Sequence, residues 1–92
     1  MDQIKILIIE DDDIVARTIQ RCLRSEFQVQ LASSGAEGLR SARREMPDLI
    51  ILDVIMPGMD GYAVCREIRS DPALSEIPIL FLTAKTKDED KI

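Results

Sequence analysis

Acidic or hydroxyl side chains follow directly after three short apolar runs of the sequence. The runs and the polar residues behind them are Ile6–Ile9 with Glu10 to Asp13, Leu49–Leu52 with Asp53, and Ile79–Leu82 with Thr83. If the runs are neighbouring strands of one parallel sheet, these polar groups meet at a single edge. Ligands of open α/β sheets bind outside the carboxyl ends of the strands, so this edge is the predicted functional site.

Bringing several carboxylates to one edge has an electrostatic cost. Two carboxylates about 4 Å apart repel each other by roughly 4 kcal/mol at an effective dielectric constant near 20. Such groups must therefore share protons or bind a cation. A divalent metal ion is the simpler remedy at neutral pH, so the sequence predicts a cation at this position.

The strands that position these groups are predicted from the pattern of apolar residues. Lys5 to Ile9 and Asp48 to Asp53 lack polar alternation, which indicates central strands buried on both faces. Phe27 to Leu31 alternates apolar and polar residues, as an outer strand would. Pro78 precedes the last predicted strand, Ile79 to Thr83.

Three predicted helices lie between the strands. Asp12 or Asp13 is expected to cap the first helix, which should end near Ser25. The second helix follows the segment 32–35 and stops at Pro47, and the third runs from about Tyr62 to Ser70. The apolar positions predicted to be buried are Val15, Ile19, Cys22 and Leu23, then Ala36, Leu39, Ala42 and Met46, and finally Val64, Cys65 and Ile68. Alternation of strands and helices indicates a doubly wound α/β sheet with right-handed crossovers.

Composition excludes several classes of function. The 92 residues suffice for one domain, and the net charge of −5 argues against nucleic acid or an anionic membrane as a direct partner. Neither a membrane-spanning run nor a signal pattern is present, so a soluble cytoplasmic protein is expected. The sequence contains no histidine, which excludes Ser-His-Asp catalysis and a role as phosphohistidine donor. Any imidazole chemistry must come from a partner.

The motifs together resemble the receiver domain of bacterial two-component response regulators. They are the acids after the first strand, Asp53 with Met-Pro-Gly-Met-Asp-Gly behind it, and Thr83-Ala84. The resemblance covers essentially the whole chain and implies one receiver domain over residues 1–92. It also implies a flavodoxin-like sheet with strand order 2-1-3-4 and a missing fifth strand. In the alternative interpretation, the acids merely cap helices.

The resemblance implies a role for each residue of the site. Asp53 matches the phosphoacceptor, and Glu10 and Asp11 match the acidic pair that holds Mg²⁺ together with Asp53. The remaining matches are the backbone carbonyl of Ile55 as a further metal ligand, the hydroxyl of Thr83 as a phosphoryl contact, and Ala84 as a small residue leaving space for the phosphoryl group. For Asp12, helix capping and metal contact both remain open.

Two departures from the family pattern carry expectations of their own. The family's fifth-strand lysine has no counterpart, and Lys85 lies in the wrong segment to replace it. Without a fifth strand, the edge at Ile79 to Leu82 would be exposed and apolar, so association through this edge is expected. Ile55 also stands where the family tunes hydrolysis of the phosphoryl group, and its side chain cannot orient a water molecule.

The function implied is a phosphorylation-dependent signalling module, not an enzyme acting on an outside substrate. Its expected partners are a histidine kinase or phosphotransfer protein as donor, and an output domain or effector protein. One alternative is an Mg²⁺-dependent phosphatase with an aspartate nucleophile, which needs a second carboxylate where this chain has Ile55. The other alternative is a binding scaffold that no longer accepts phosphate.

Overall fold

The computed structural model describes residues 3–82, in which four strands alternate with three helices. The elements are β1 (Lys5–Ile9), α1 (Asp13–Leu23), β2 (Gln28–Ala32), α2 (Gly35–Glu45), β3 (Leu49–Asp53), α3 (Gly61–Ser70) and β4 (Ile79–Leu82). Thr83, Ala84, Lys85 and the segment that follows lie outside the described residues. The predicted end of the last strand at Thr83 therefore lies outside them as well.

The four strands form one parallel sheet in the order β2-β1-β3-β4. This arrangement confirms the predicted doubly wound, flavodoxin-like fold and its strand order. β1 and β3 are the two central strands, and Ile9 of β1 is level with Leu52 of β3. Because the strands are parallel, the residues that follow Ile9 and Leu52 emerge side by side at the carboxyl edge of the sheet.

Helices cover the two faces of the sheet unequally. α2 and α3 pack on one face, where Leu7, Leu52 and Val64 belong to a fully buried cluster. α1 covers the other face, where Ile6, Ile8 and Ile51 form a second buried cluster. Both central strands therefore have apolar side chains on both faces, as predicted from their unbroken apolar sequences.

Each helix begins with a side-chain cap at the carboxyl edge of the sheet. Asp12, and not Asp13, caps α1: its Oδ1 accepts hydrogen bonds from the backbone N–H groups of Ile14 at 3.0 Å and Val15 at 3.3 Å. Ser34 and Asp60 cap α2 and α3 in the same way. These caps satisfy backbone donors that the first turn of a helix leaves unpaired.

The predicted buried face of α1 was partly wrong. Cys22 is exposed and Val15 is 39% exposed, whereas both were predicted to be buried, and the helix ends at Leu23 instead of near Ser25. Within residues 3–82, α1 is the only helix on its face of the sheet, so the side chains on its flanks have no neighbouring helix to pack against. Ile19 and Leu23 do pack against the sheet, as predicted.

Burial in α2 was predicted about as well as in α1, and burial in α3 was predicted more accurately. In α2, Leu39 and Ala42 are buried as predicted, but Ala36 is exposed and Gly38 takes its place on the buried face. Met46 was also wrongly predicted to be buried. It follows α2 as a left-handed cap with φ 51°, which turns its side chain outward and leaves it 47% exposed. In α3, Val64 and Ile68 are buried and Cys65 is half-buried.

β4 forms one edge of the described sheet. Ile79 and Phe81 pack toward α2 and α3, whereas Leu80 points to the opposite face and is 55% exposed. The predicted exposed apolar edge is therefore present in the described part of the chain. None of the helices within residues 3–82 combines the length and hydrophobicity needed to span a lipid bilayer.

Candidate functional site

Three carboxylates meet at the carboxyl edge of the sheet. Glu10 and Asp11 directly follow β1, and Asp53 is the last residue of the adjacent strand β3. One carboxylate oxygen from each of the three residues lies within 4.8 Å of the other two. The structure therefore brings together the three acidic side chains that the sequence placed at this edge.

Two of these three acids are buried. The exposed fractions of Glu10 and Asp53 are 6% and 4%, while Asp11 is exposed to solvent. Burial raises the pKa of Glu10 from 4.5 to about 7, and the negative charges of Asp53 and Asp11 act in the same direction. A hydrogen bond from the Asp12 backbone opposes this rise in pKa. Without a cation, Glu10 therefore holds its proton to a higher pH than an exposed glutamate does.

Backbone hydrogen bonds hold the two buried acids in place. The N–H of Asp12 donates to Glu10 Oε2 at 3.0 Å, and the N–H of Ile55 donates to Asp53 Oδ1 at 3.3 Å. The backbone N–H of Glu10 also donates to the carbonyl of Ala32 at 3.0 Å, which extends the pairing of β1 with β2. Both carboxylates are therefore oriented before any ligand binds.

The chemistry of this donor set fits a small divalent cation. Mg²⁺ prefers hard oxygen ligands, binds through one or two carboxylates and keeps several water molecules. Glu10, Asp11 and Asp53 offer carboxylate oxygens close to one another, and the solvent exposure of Asp11 leaves room for waters. Asp12 is not in this group, because its carboxylate caps α1.

The loop after β3 contains a glycine in a conformation that other residues disfavour. Gly58 has φ 78°, a left-handed conformation that side chains disfavour, and nothing lies within 4 Å of where its Cβ would be. The side chain of Ile55 is 55% exposed beside the site. The assignment of its backbone carbonyl as a metal ligand stays a prediction, and Thr83 and Ala84 lie outside the described residues.

A shallow cleft of about 140 Å³ lies next to the acidic site, between α1 and the start of α2. Its lining includes Glu10 and Asp11 together with Arg17, Ser33 and Glu37. The cleft lies on the β2 side of β1, whereas Asp53 lies on the β3 side. It is therefore a neighbour of the three-carboxylate site and does not contain Asp53.

Two contacts around the site were not predicted from the sequence. One is the hydrogen bond from the Asp12 N–H to Glu10, which depends on the turn between β1 and α1. The other is a tilted ring contact between Tyr62 in α3 and Phe81 in β4, with centroids 5.6 Å apart. Residue spacing contains no signal for the ring contact, because it joins two elements that approach only in the folded sheet.

The sequence pattern of the family described as "Response regulator receiver domain" matches residues 6–92. The chain belongs to the response regulator receiver domain family. Receiver domains are signalling modules of two-component systems, and this chain shares their fold and the acidic pocket at the edge of the sheet.

Individual relatives agree with this assignment. The transcriptional regulatory protein AfsQ1 of Streptomyces coelicolor is 43% identical over 88 residues, which cover 95% of this chain and 38% of AfsQ1. The chemotaxis protein CheY4 of Vibrio cholerae superimposes with a TM-score of 0.86 at 31% identity, over 97% of this chain and 75% of that one.

A third relative is the receiver domain of the sensor histidine kinase PA1611 of Pseudomonas aeruginosa. It superimposes with a TM-score of 0.86 at 36% identity, covering 97% of this chain and 74% of that one, and its structure holds a magnesium ion in the active-site cleft. The chain spans between 20% and 40% of the length of the curated relatives it matches.

Proposed function

We propose that residues 1–92 form one receiver unit that accepts a phosphoryl group on Asp53. The observation that carries this proposal is the buried carboxylate of Asp53, with Glu10 and Asp11 close enough to share one cation with it. Asp53 is the only one of the three that ends a strand, and the Ile55 N–H donates to one of its oxygens. A fixed, buried carboxylate next to a cation site suits nucleophilic attack on phosphorus.

In the proposed reaction, a carboxylate oxygen of Asp53 attacks the phosphorus of a partner's phosphohistidine. The new P–O bond forms as the P–N bond breaks, and the imidazole nitrogen keeps the electron pair of the broken bond and takes up a proton. The 92 residues contain no histidine, so the phosphohistidine lies outside them, and the proposed donor is a histidine kinase or a phosphotransfer protein. The product is an aspartyl phosphate on this chain.

The cation proposed for this site is Mg²⁺, held by Glu10, Asp11 and Asp53. Its chemistry, when bound, is neutralisation of negative charge on the phosphoryl oxygens. The described residues contribute the orientation of the carboxylates and the burial that keeps water away from Asp53. The Ile55 carbonyl as a further ligand, the Thr83 hydroxyl as a phosphoryl contact and Ala84 as the small neighbour complete the proposal.

The consequence of phosphorylation is proposed to be a change of conformation that regulates an output domain or effector protein. The chain is thus a signalling module that promotes only its own phosphorylation and dephosphorylation. The PA1611 receiver domain, whose structure holds magnesium, supports the choice of metal. AfsQ1, a transcriptional regulatory protein, supports regulation as the class of output.

Phosphorylation can be tested by incubating the chain with acetyl phosphate and Mg²⁺ and measuring the intact mass. We expect a labile gain of one phosphoryl group that Asp53→Asn abolishes and Asp13→Asn retains. Asp13 is a suitable control because it is an exposed acid whose carboxylate pairs with Arg17. An unchanged mass would instead indicate a binding scaffold, and steady release of phosphate from unrelated esters would indicate a phosphatase.

A further inference from the structure

The first residue of α3 lies unusually close to the backbone of Asp53. A Cβ atom added to Gly61 would lie 2.3 Å from the carbonyl oxygen of Asp53 and 2.7 Å from the Cα of Val54. The backbone N–H of Gly61 also donates to the carbonyl of Val54 at 2.8 Å. The amino end of α3 is therefore in direct contact with the Asp53–Val54 peptide.

The need for glycine here comes from space and not from backbone conformation. Within residues 3–82, Gly58 is the one glycine with a positive φ. At Gly61 the obstacles are backbone atoms of a strand end, which cannot rotate away as a side chain can. The N–H of Val54 donates to the carbonyl of Leu82 at 3.1 Å, so the same peptide is also tied to β4.

We propose that Gly61 is a positioning residue for phosphoryl transfer. Because Gly61 has no side chain, α3 can pack directly against the Asp53–Val54 peptide and hold it in place. This contact also fixes the position of the Asp53 carboxylate relative to Glu10 and Asp11. This inference rests on the proposed function of Asp53. A larger residue at position 61 must displace either α3 or that peptide. Movement of the peptide changes the direction of the Asp53 side chain, and misplacement by about 1 Å can reduce a rate about a hundredfold.

Gly35 provides a matched control. It occupies the same position in α2 that Gly61 occupies in α3, directly after the capping residue, and it is also buried. A Cβ atom added to Gly35 would be obstructed at 2.7 Å, but by the side chain of Val64, with the side chain of Met59 next nearest. Gly35→Ala therefore introduces a clash at the same helix position that side chains can relieve by moving, and it does not touch the backbone of Asp53.

The test compares Gly61→Ala with Gly35→Ala in the full chain. Three quantities are measured: the unfolding midpoint in denaturant, the Mg²⁺ dissociation constant, and the rate of phosphoryl gain from acetyl phosphate at saturating Mg²⁺. At equal folded fraction, we expect Gly61→Ala to slow phosphorylation between about tenfold and about a hundredfold and to weaken Mg²⁺ binding. Gly35→Ala should be less stable than the parent chain. Its phosphorylation rate and its Mg²⁺ dissociation constant should nevertheless remain within about twofold of the parent values.

Equal phosphorylation rates and Mg²⁺ affinities in the two folded variants would overturn the positioning role while leaving Asp53 as the phosphoacceptor. If the parent chain gains no phosphoryl group, the proposed function fails and the positioning role fails with it. If Gly61→Ala does not fold, amide resonances of the parent provide the test. Phosphorylation should then change the chemical shift of the Gly61 amide resonance more than that of the Gly35 amide resonance. An unchanged chemical shift for the Gly61 amide would refute the proposal.

Discussion

Glu10 and Asp53 are distant in sequence, yet their carboxylates lie within 4.8 Å of each other because Glu10 follows β1 and Asp53 ends the adjacent strand β3. Both side chains are buried, so each makes it costly for the other to carry a charge. Burial and this repulsion together raise the pKa of Glu10 to about 7. Without a cation, the site thus favours protonation of Glu10 at a pH where an exposed glutamate is already charged.

The raised pKa of Glu10 predicts how stability depends on pH in metal-free buffer. Between pH 4.5, the ordinary pKa, and about 7, the folded state holds a proton that the unfolded state has released. The free energy of unfolding should therefore fall as pH rises through this window. Glu10→Gln, which cannot ionise, should flatten the profile measured by urea unfolding at several pH values.

Magnesium provides the control for this pH dependence. If Mg²⁺ binds the charged carboxylates of the folded state as proposed, saturating Mg²⁺ should restore stability above pH 7 in the parent chain. The restoration should be smaller in Glu10→Gln. A parent chain whose stability stays constant from pH 4.5 to 7.5 without metal would show that Glu10 does not hold the additional proton.

Substitution of Asp11, the exposed acid of the site, should weaken metal binding selectively. Asp11→Asn removes one negative charge from the three-carboxylate group without leaving a buried group unpaired, since Asp11 is exposed. We expect the Mg²⁺ dissociation constant, measured by calorimetry, to rise by about tenfold or more. Asp13→Asn is the matched control and should change it by less than about twofold. Equal effects of the two substitutions would point to a general charge effect instead of a ligand.

Because position 55 holds an isoleucine, we expect phosphorylated Asp53 to lose its phosphoryl group slowly. Its exposed apolar side chain lies beside the site and cannot hydrogen-bond an attacking water molecule. Ile55→Asn should therefore lose phosphate about tenfold faster, as followed by intact mass after removal of acetyl phosphate. Ile14, which is 76% exposed at the start of α1, provides the control Ile14→Asn. Equal or slower loss in Ile55→Asn would contradict the prediction.

The apolar edge at β4 predicts self-association of this chain. Within residues 3–82, β4 is an edge strand and Leu80 is 55% exposed, so an apolar side chain at this edge is accessible to a second copy. Leu80→Lys should lower the average mass measured by sedimentation at high concentration. Ile4→Lys, at a residue with 52% exposure ahead of β1, should not. A parent chain that stays monomeric at all concentrations would refute the association.

Strand identity could be predicted because unbroken apolar runs determine it, whereas the strand order that brings the acids together was implied by the resemblance to receiver domains. Ile6 to Ile9 and Leu49 to Leu52 are apolar on both faces, so few arrangements other than central strands suit them. The choice of Asp12 as the helix cap could not be predicted, because two neighbouring acids met the same requirement. It depends on the extended backbone of Asp12, with ψ 111°.

Burial on α1 was harder to predict than the helix itself. The 3.6-residue period identifies which side chains share a face, but it does not show how many neighbouring helices cover that face. Cys22 and Val15 lie at suitable positions and are nevertheless exposed. The close approach of Gly61 to Asp53 was missed for a similar reason, since a glycine required for space resembles one required for a turn.

The doubly buried central strands have a consequence for how a signal can leave the site. Leu7, Ile8, Ile50 and Leu52 are almost completely inaccessible to solvent, so amides in β1 and β3 should exchange hydrogen only when the whole domain unfolds. We therefore expect the strands beneath Asp53 to keep their arrangement when Asp53 reacts, because a close-packed core has no space into which its side chains can move. The connections at the rim, which are more exposed, are where we expect the response to reach a partner.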